Sequence, residues 1–172
     1  TSVIQYMFDN FADIYFPAGT YSIATTLQHR RNNNPTIRGP KGDRSLATIK
    51  TLPAFVGRRM FCNWDLSWYT EGDDLNIPPP KALMNGVHNN DWSRYVNLTN
   101  VQFNIDTPTV ETELISCVDI AEAHEGADFH GLIFNASSDF QKGSPFRLFG
   151  SQGGWEISHV TCYSENWELQ FY

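Results

Sequence analysis

The chain has 172 residues, of which 41% are hydrophobic and 14% aromatic, so it can bury a core and is not a disordered segment. Its formal net charge is −7, which excludes it as a good candidate for nucleic-acid binding, because that binding depends mainly on neutralised phosphates. No apolar run approaches the roughly 18 residues that a membrane helix needs, so we expect no membrane insertion.

Positive charge is concentrated in the first third of the chain. Residues 1–59 hold eight Lys and Arg against three Asp and Glu, whereas residues 60–172 hold four against sixteen. This basic cluster either meets an anionic glycan or an acidic protein, or is an ordinary solvated edge. Its members are His29, Arg30, Arg31, Arg38, Lys41 and Arg44.

The chain has three cysteines, Cys62, Cys117 and Cys162, at wide spacing. No CxxC pair and no zinc-finger spacing occurs, so the sequence predicts neither a disulfide scaffold nor a zinc site. One disulfide with a spare thiol remains an open alternative. We predict no cofactor.

Residues 12–52 alternate short apolar segments with turns. Residues 13–16 and 21–27 are predicted strands on either side of a Pro-Ala-Gly-Thr turn, and residues 36–39 and 46–49 are two more. Residues 60–95 have few alternating positions and are predicted to form a long irregular insertion. An insertion of this length is usually functional, unless it is an irregular packing segment.

Residues 96–172 contain a repeat. Residues 97–104, 128–135 and 156–163 align without gaps, offset by 31 and then 28 residues. Their apolar positions form three columns: Leu98, Phe129 and Ile157; Val101, Leu132 and Val160; and Phe103, Phe134 and Cys162. Two further pairs keep the 28-residue step, namely Val118 with Phe146 and Ile120 with Leu148.

The spacing inside one repeat predicts short strands joined by corners. Leu98 and Val101 are three residues apart and cannot share one face of a straight strand. The chain must therefore bend at Thr99-Asn100, and correspondingly at Gly131 and at Ser158-His159. Strands that return after about thirty residues are coils of a solenoid, because no such coil can bury its core alone. We predict an all-β chain forming a single parallel β-helix domain over residues 1–172.

Residues 15–21 read YFPAGTY, and residues 12–23 resemble the opening segment of the pectate-lyase-like superfamily of right-handed parallel β-helices, especially bacteriophage tailspike and depolymerase proteins. The resemblance implies a right-handed coil, binding or cleavage of polysaccharide along a lateral groove, and a homotrimer or larger assembly. It implies a location on the virion tail or outside the cell. The motif contains no catalytic residue, so none is transferred.

The repeat itself places two carboxylates together. Asp128 and Glu156 flank the inward column and are predicted to point outward in adjacent coils, with backbones about 4.8 Å apart. Such a spacing suits the paired acids of a glycosidase, with His130 as a proton shuttle or sugar ligand. The alternative is that both acids are simply solvated, as outward residues of a solenoid usually are.

A second acidic group lies in the connection before the next coil. It comprises Asp119, Glu122, His124, Glu125 and Asp128. Calcium-binding loops are rich in oxygen ligands, but no Asp-x-Asp-x-Asp-Gly spacing is present, so we predict a solvated loop and no metal site.

Four tryptophans are candidates for stacking on sugar rings: Trp64, Trp68, Trp92 and Trp155. The alternative is that they pack beneath the long insertion, because an exposed tryptophan is costly.

The leading functional hypothesis is a tailspike or tail-fibre protein that binds, and as a hydrolase or lyase depolymerises, a bacterial surface polysaccharide. A non-enzymatic structural or adhesive module is the second, and a secreted microbial glucanase or polysaccharide lyase is the third. Residues 167–172 alternate like a strand, and we expect a continuing chain or another subunit to cover it.

Overall fold

A computed structural model describes residues 2–29, 35–42, 47–79, 96–105, 115–121, 126–136, 144–150, 154–163 and 170–171. The elements, in chain order, are α1 (Val3–Asn10), β1 (Asp13–Tyr15), β2 (Gly19–Gln28), β3 (Thr36–Arg38), β4 (Ala47–Cys62), a 3-10 helix (Leu66–Trp68), β5 (Asn97–Thr99), β6 (Gln102–Ile105), β7 (Ser116–Ala121), β8 (Asp128–His130), β9 (Ile133–Ala136), β10 (Ser144–Phe149), β11 (Glu156–Ser158), β12 (Thr161–Tyr163) and β13 (Gln170–Phe171). Within these ranges no helix has the length and apolarity needed to cross a membrane.

The strands form three parallel stacks. The first stack has the order β1-β3-β5-β8-β11. The long strands β2 and β4 pair with each other, and each of them runs through both of the other stacks. In the second stack the first half of β4 pairs with β6, β6 with β9, and β9 with β12. In the third stack the last residues of β4 pair with β7, β7 with β10, and β10 with β13. The chain therefore circles through the stacks once per coil, which confirms the prediction of an all-β parallel solenoid.

The strand register confirms the repeat. Leu98 pairs with Phe129, which pairs with Ile157 in the next coil. In the second stack, Phe103 pairs with Phe134, and their rings stack with centroids 5.6 Å apart. The two shorter alignments also hold, since Val118 pairs with Phe146 and Ile120 with Leu148. Residues that align in the sequence are therefore neighbours in space.

The predicted corners directly follow the strands β5, β8 and β11 of the first stack. Asn100, Gly131 and His159 all adopt left-handed backbone conformations, with φ of 55°, 64° and 54°. Space is tight there, because a Cβ on Gly39 would come within 2.0 Å of the Asn100 carbonyl oxygen. Gly39 is the residue equivalent to Asn100 in the preceding coil, and this position can therefore hold only glycine.

One continuous core lies between the three stacks. All nine predicted inward positions belong to it: six are buried, and Ile157, Val160 and Cys162 of the last coil are half-buried against it. The three cysteines are free thiols. Burial raises the pKa of the Cys62 thiol to about 12.

Helix α1 covers the first coil, and the sequence analysis did not predict it. Phe8 packs against Phe16 and Phe61, with ring centroids 6.4 and 5.5 Å apart. The side-chain amide of Gln5 accepts a hydrogen bond from the Gln28 backbone N–H and donates one to its carbonyl oxygen, at 2.9 and 2.8 Å. The helix thus satisfies part of the edge of β2, which would otherwise offer unpaired backbone groups.

Residues 63–79, which we call the cover segment, lie over the outer face of the third stack. Strand β4 continues to Cys62, so the irregular insertion begins at residue 63 and not at residue 60. The side chain of Asn63 bonds both backbone groups of Ala121, each at 2.8 Å. The segment and the strands below it together form a second apolar cluster. It contains Cys62, Trp64, Ala121 and Phe149, with Leu66, Trp68 and Tyr69 packed against them. Because of this cover, every residue of β7 and β10 is buried.

A buried ion cluster joins three strands under the cover segment. Asp119 accepts hydrogen bonds from Arg59 at 2.7 Å and from Arg147 at 2.8 Å. The guanidinium of Arg59 lies 5.1 Å from the centre of the Trp64 ring. Burial disfavours the charged form of Arg59, but the Asp119 carboxylate outweighs this, and the pKa of Arg59 is raised. The prediction of a solvated loop was therefore wrong for Asp119, whereas Glu122, His124 and Glu125 lie outside the described residues.

We expect Phe134→Ala to lower the free energy of unfolding by about 3–5 kcal/mol, because it leaves a cavity in a fully buried stack. Tyr163→Ala, at a position that is 59% exposed, is the control and should change stability by less than about 1 kcal/mol. Urea denaturation measures both. Equal losses would contradict the assignment of the core.

We also expect Asp119→Asn to destabilise the chain by about 3–5 kcal/mol, because it leaves two buried guanidinium groups without a counter-charge. Asp13→Asn, which breaks the exposed ion pair with Arg38, is the matched control and should have little effect. Thermal unfolding at neutral pH compares the two variants. If the control is as unstable as Asp119→Asn, the buried cluster is not a stabilising feature.

Candidate functional site

The outer face of the first stack carries two columns of side chains. They alternate with the inward column, as strand geometry requires. The first outer column is Asp13, Thr36, Asn97, Asp128 and Glu156. The second outer column is Tyr15, Arg38, Thr99, His130 and Ser158.

A groove with a volume of about 750 Å³ runs beside the second outer column and the corners. It takes residues from all five coils, from Tyr15 in the first to His159 in the last. Four steps between adjacent strands give it a length of about 19 Å. The groove therefore runs along the axis of the solenoid.

The groove is lined by two basic residues although the chain is acidic. Arg38 and Lys41 line it, and no carboxylate is among the described residues that do so. Arg38 donates two hydrogen bonds to Asp13, at 3.0 and 3.1 Å, and its guanidinium lies 5.2 Å from the centre of the Tyr15 ring. These hydrogen bonds raise the pKa of Arg38 and lower the pKa of Asp13. Arg38 is thus held in place as a permanent cation.

Two histidines line the far end of the groove, and a serine contacts one of them. The Nδ1 atom of His130 is 2.8 Å from the Ser158 Oγ atom, which is a hydrogen-bond distance. The rings of His130 and His159 are in contact, with centroids 4.8 Å apart and planes at 60°. Sequence analysis named His130 but missed Ser158 and His159 as site residues, although it placed both at a corner.

The structure brings the predicted carboxylates together. Asp128 and Glu156 are direct partners in adjacent parallel strands, as the repeat predicted. Asp128 is half-buried and Glu156 is exposed. The backbone N–H of Asp128 donates to Asn97 Oδ1 at 3.0 Å. The pair stands in the first outer column, beside the groove and not among the residues that line it. Its catalytic role remains a prediction.

The predicted tryptophans do not form one platform. Trp64 belongs to the cover segment and is completely buried in the second apolar cluster, so neither face of its ring is open to a sugar, and the prediction was wrong for this residue. Trp68 packs against the same cluster, and Trp155 packs against the main core. Trp92 lies outside the described residues. Tyr15, within the YFPAGTY segment, does line the groove.

The residues of the predicted basic cluster also lie in different places in the structure. Arg38 and Lys41 line the groove, whereas His29 is buried beside Phe8. Arg30, Arg31 and Arg44 lie outside the described residues. In the part of the chain that the structure describes, no group of three or more His, Cys, Asp and Glu side chains is placed to hold a metal ion.

No protein-family model matches the chain, and neither a curated protein nor a solved structure matches it. The class that the structure defines is an all-β parallel solenoid with a lateral groove. The finer resemblance to tailspike proteins rests on the amino-acid sequence alone, with residues 12–23 as its main motif.

Proposed function

We propose that the chain binds an extended acidic polysaccharide along the groove, as part of a tailspike or tail-fibre type protein. The observation that carries this proposal is the continuity of the groove over five coils. A compact ligand needs only one end of such a groove, whereas a polymer gains contacts at every coil.

The side chains of the groove suit an acidic sugar polymer. Asn100, His130 and His159 offer hydrogen-bonding groups on three successive coils. Tyr15 is 44% exposed and presents a ring on which a sugar can stack. Lys41 is exposed, and Arg38 keeps its charge while paired with Asp13. Carboxylate, sulfate or phosphate groups on the polymer would meet these cations.

The biological setting is a further proposal, supported by the resemblance of residues 12–23. A tailspike role implies a bacterial surface polysaccharide as the partner, a virion or extracellular location, and assembly as a homotrimer. A structural or adhesive module without affinity for sugar is the alternative, and a secreted glucanase or lyase is another. Binding to purified polysaccharides separates the adhesive module from the other two.

Depolymerisation is a second candidate function, and the register of Asp128 with Glu156 favours it. Their backbones are one strand spacing apart, about 4.8 Å, and the carboxyl groups of a retaining glycosidase are about 5–5.5 Å apart. One carboxyl group would then be the acid and the other the nucleophile.

We expect Lys41→Ala to weaken binding of a uronate-containing oligosaccharide about tenfold, because a charged hydrogen bond is lost. Lys50→Ala, on β4 and away from the groove, is the matched control and should bind like the unsubstituted chain. Isothermal titration calorimetry at two salt concentrations measures both, and affinity should fall as salt rises. Equal affinity in the two variants, or equal affinity for a neutral oligosaccharide, would contradict the proposal.

The depolymerase proposal predicts that Asp128→Asn and Glu156→Gln each abolish the release of reducing ends from a polysaccharide that the chain binds and cleaves. Both variants should keep their affinity for the polymer, because each replaces a carboxyl group by an amide of nearly the same size and shape. Thr36→Ala, in the same outer column but without a carboxylate and two strands away from Asp128, is the control. Cleavage retained in both acid variants would show that the pair is not catalytic.

A further inference from the structure

We infer that Ser158 and His130 form a nucleophile–base pair that hydrolyses ester substituents, such as O-acyl groups, on a polymer lying in the groove. The polymer as the carrier of the ester rests on the proposed function, whereas the hydrolytic pair rests on its own geometry.

The first step of the argument is the distance between the two reacting groups. Ser158 Oγ and His130 Nδ1 are 2.8 Å apart, within the 2.6–3.2 Å that is typical of a nucleophile and its general base. Both side chains are half-buried. The pairing does not depend on flexible loops, because the two residues are direct partners in β8 and β11.

The second step is the support of each group. The His159 ring packs against the His130 imidazole and limits its rotation. The Gly131 N–H donates to the Ser158 carbonyl oxygen at 3.1 Å, which ties the corner of one coil to the next. The pair is therefore held by backbone on one side and by an aromatic ring on the other.

The third step is the group that stabilises the charge of the reaction. Hydrolysis of an ester develops negative charge on the carbonyl oxygen, and a hydrogen-bond donor placed beforehand stabilises it. Arg38 is three strand spacings, about 14 Å, from Ser158 and is too far to serve. The His159 imidazole contacts His130 at the same end of the groove and is the side chain placed for this role. Among the described residues no carboxylate bonds His130, so the pair lacks the third group of a triad. This favours esters, which have good leaving groups, over amides.

The proposed reaction has two half-steps. Ser158 Oγ attacks the carbonyl carbon of the ester while His130 takes the hydroxyl proton, and the bond to the sugar oxygen then breaks. His130 returns the proton to that oxygen, which frees the sugar hydroxyl and leaves an acyl group on Ser158. Water, deprotonated by His130, attacks the acyl-serine, and the products are a carboxylic acid and free Ser158.

The test uses the 172-residue chain with two probes, p-nitrophenyl acetate and a fluorophosphonate. We expect the fluorophosphonate to add one phosphonyl group at Ser158, located by peptide mass spectrometry. Ser158→Ala and His130→Gln should each lower ester hydrolysis by about 100-fold or more, the usual contribution of general-base catalysis. Ser67→Ala, at an exposed serine of the cover segment, should leave both readouts unchanged.

Two results would overturn the inference: an unlabelled Ser158, or a Ser158→Ala variant that hydrolyses the ester as fast as the unsubstituted chain. Circular dichroism of each variant excludes misfolding as the cause of a loss. Affinity for the acidic oligosaccharide is measured in parallel. Ester hydrolysis without sugar binding refutes the proposed function and supports the pair, whereas sugar binding without labelling supports the proposed function and refutes the pair.

Discussion

The structure depends on the in-register stacking of coils that cannot bury their apolar side chains alone. Each coil contributes one inward residue to a column such as Leu98, Phe129 and Ile157, and its backbone bonds to the next coil about 4.8 Å away. A slip of one residue would turn the whole inward column towards solvent, so burial of the core fixes the register. The ends of the solenoid and its apolar outer faces must be shielded from water by other elements. Helix α1 covers the first coil, and the cover segment shields the third stack around Asp119.

The candidate site is a consequence of the same register. Because inward and outward residues alternate, a fixed core also aligns the outer residues of successive coils. Asp128 stands beside Glu156, and His130 stands beside Ser158, without any element dedicated to either pair. The left-handed corners then turn the chain away from the first stack and leave the groove between neighbouring side chains. A solenoid thus presents repeated sites for a repeated ligand, which is the physical reason for proposing a polymer.

The parts that the sequence could predict are those governed by the repeat: the inward columns, the corners and the pairing of Asp128 with Glu156. Contacts outside the repeat carried no such signal. Arg59 and Asp119 are 60 residues apart and belong to no periodic pattern, so Asp119 could not be recognised as buried. Trp64 was ambiguous because an aromatic side chain suits a sugar surface and a buried cluster equally well. Helix α1 did have a signal, a Ser2 N-cap followed three residues later by Gln5, but it lies outside the repeat.

Engineered disulfides test the register most directly. Cysteines at positions 128 and 156 would have Cα atoms about 4.8 Å apart, within the 4.4–6.8 Å range of disulfides. Cysteines at positions 128 and 158 would be about 8 Å apart, which is too far for a bond without movement of the backbone. After mild oxidation, peptide mapping should find the 128–156 bond in the first variant and no 128–158 bond in the second. Formation of the 128–158 bond, with the 128–156 bond absent, would contradict the stacking on which the fold and the groove both depend.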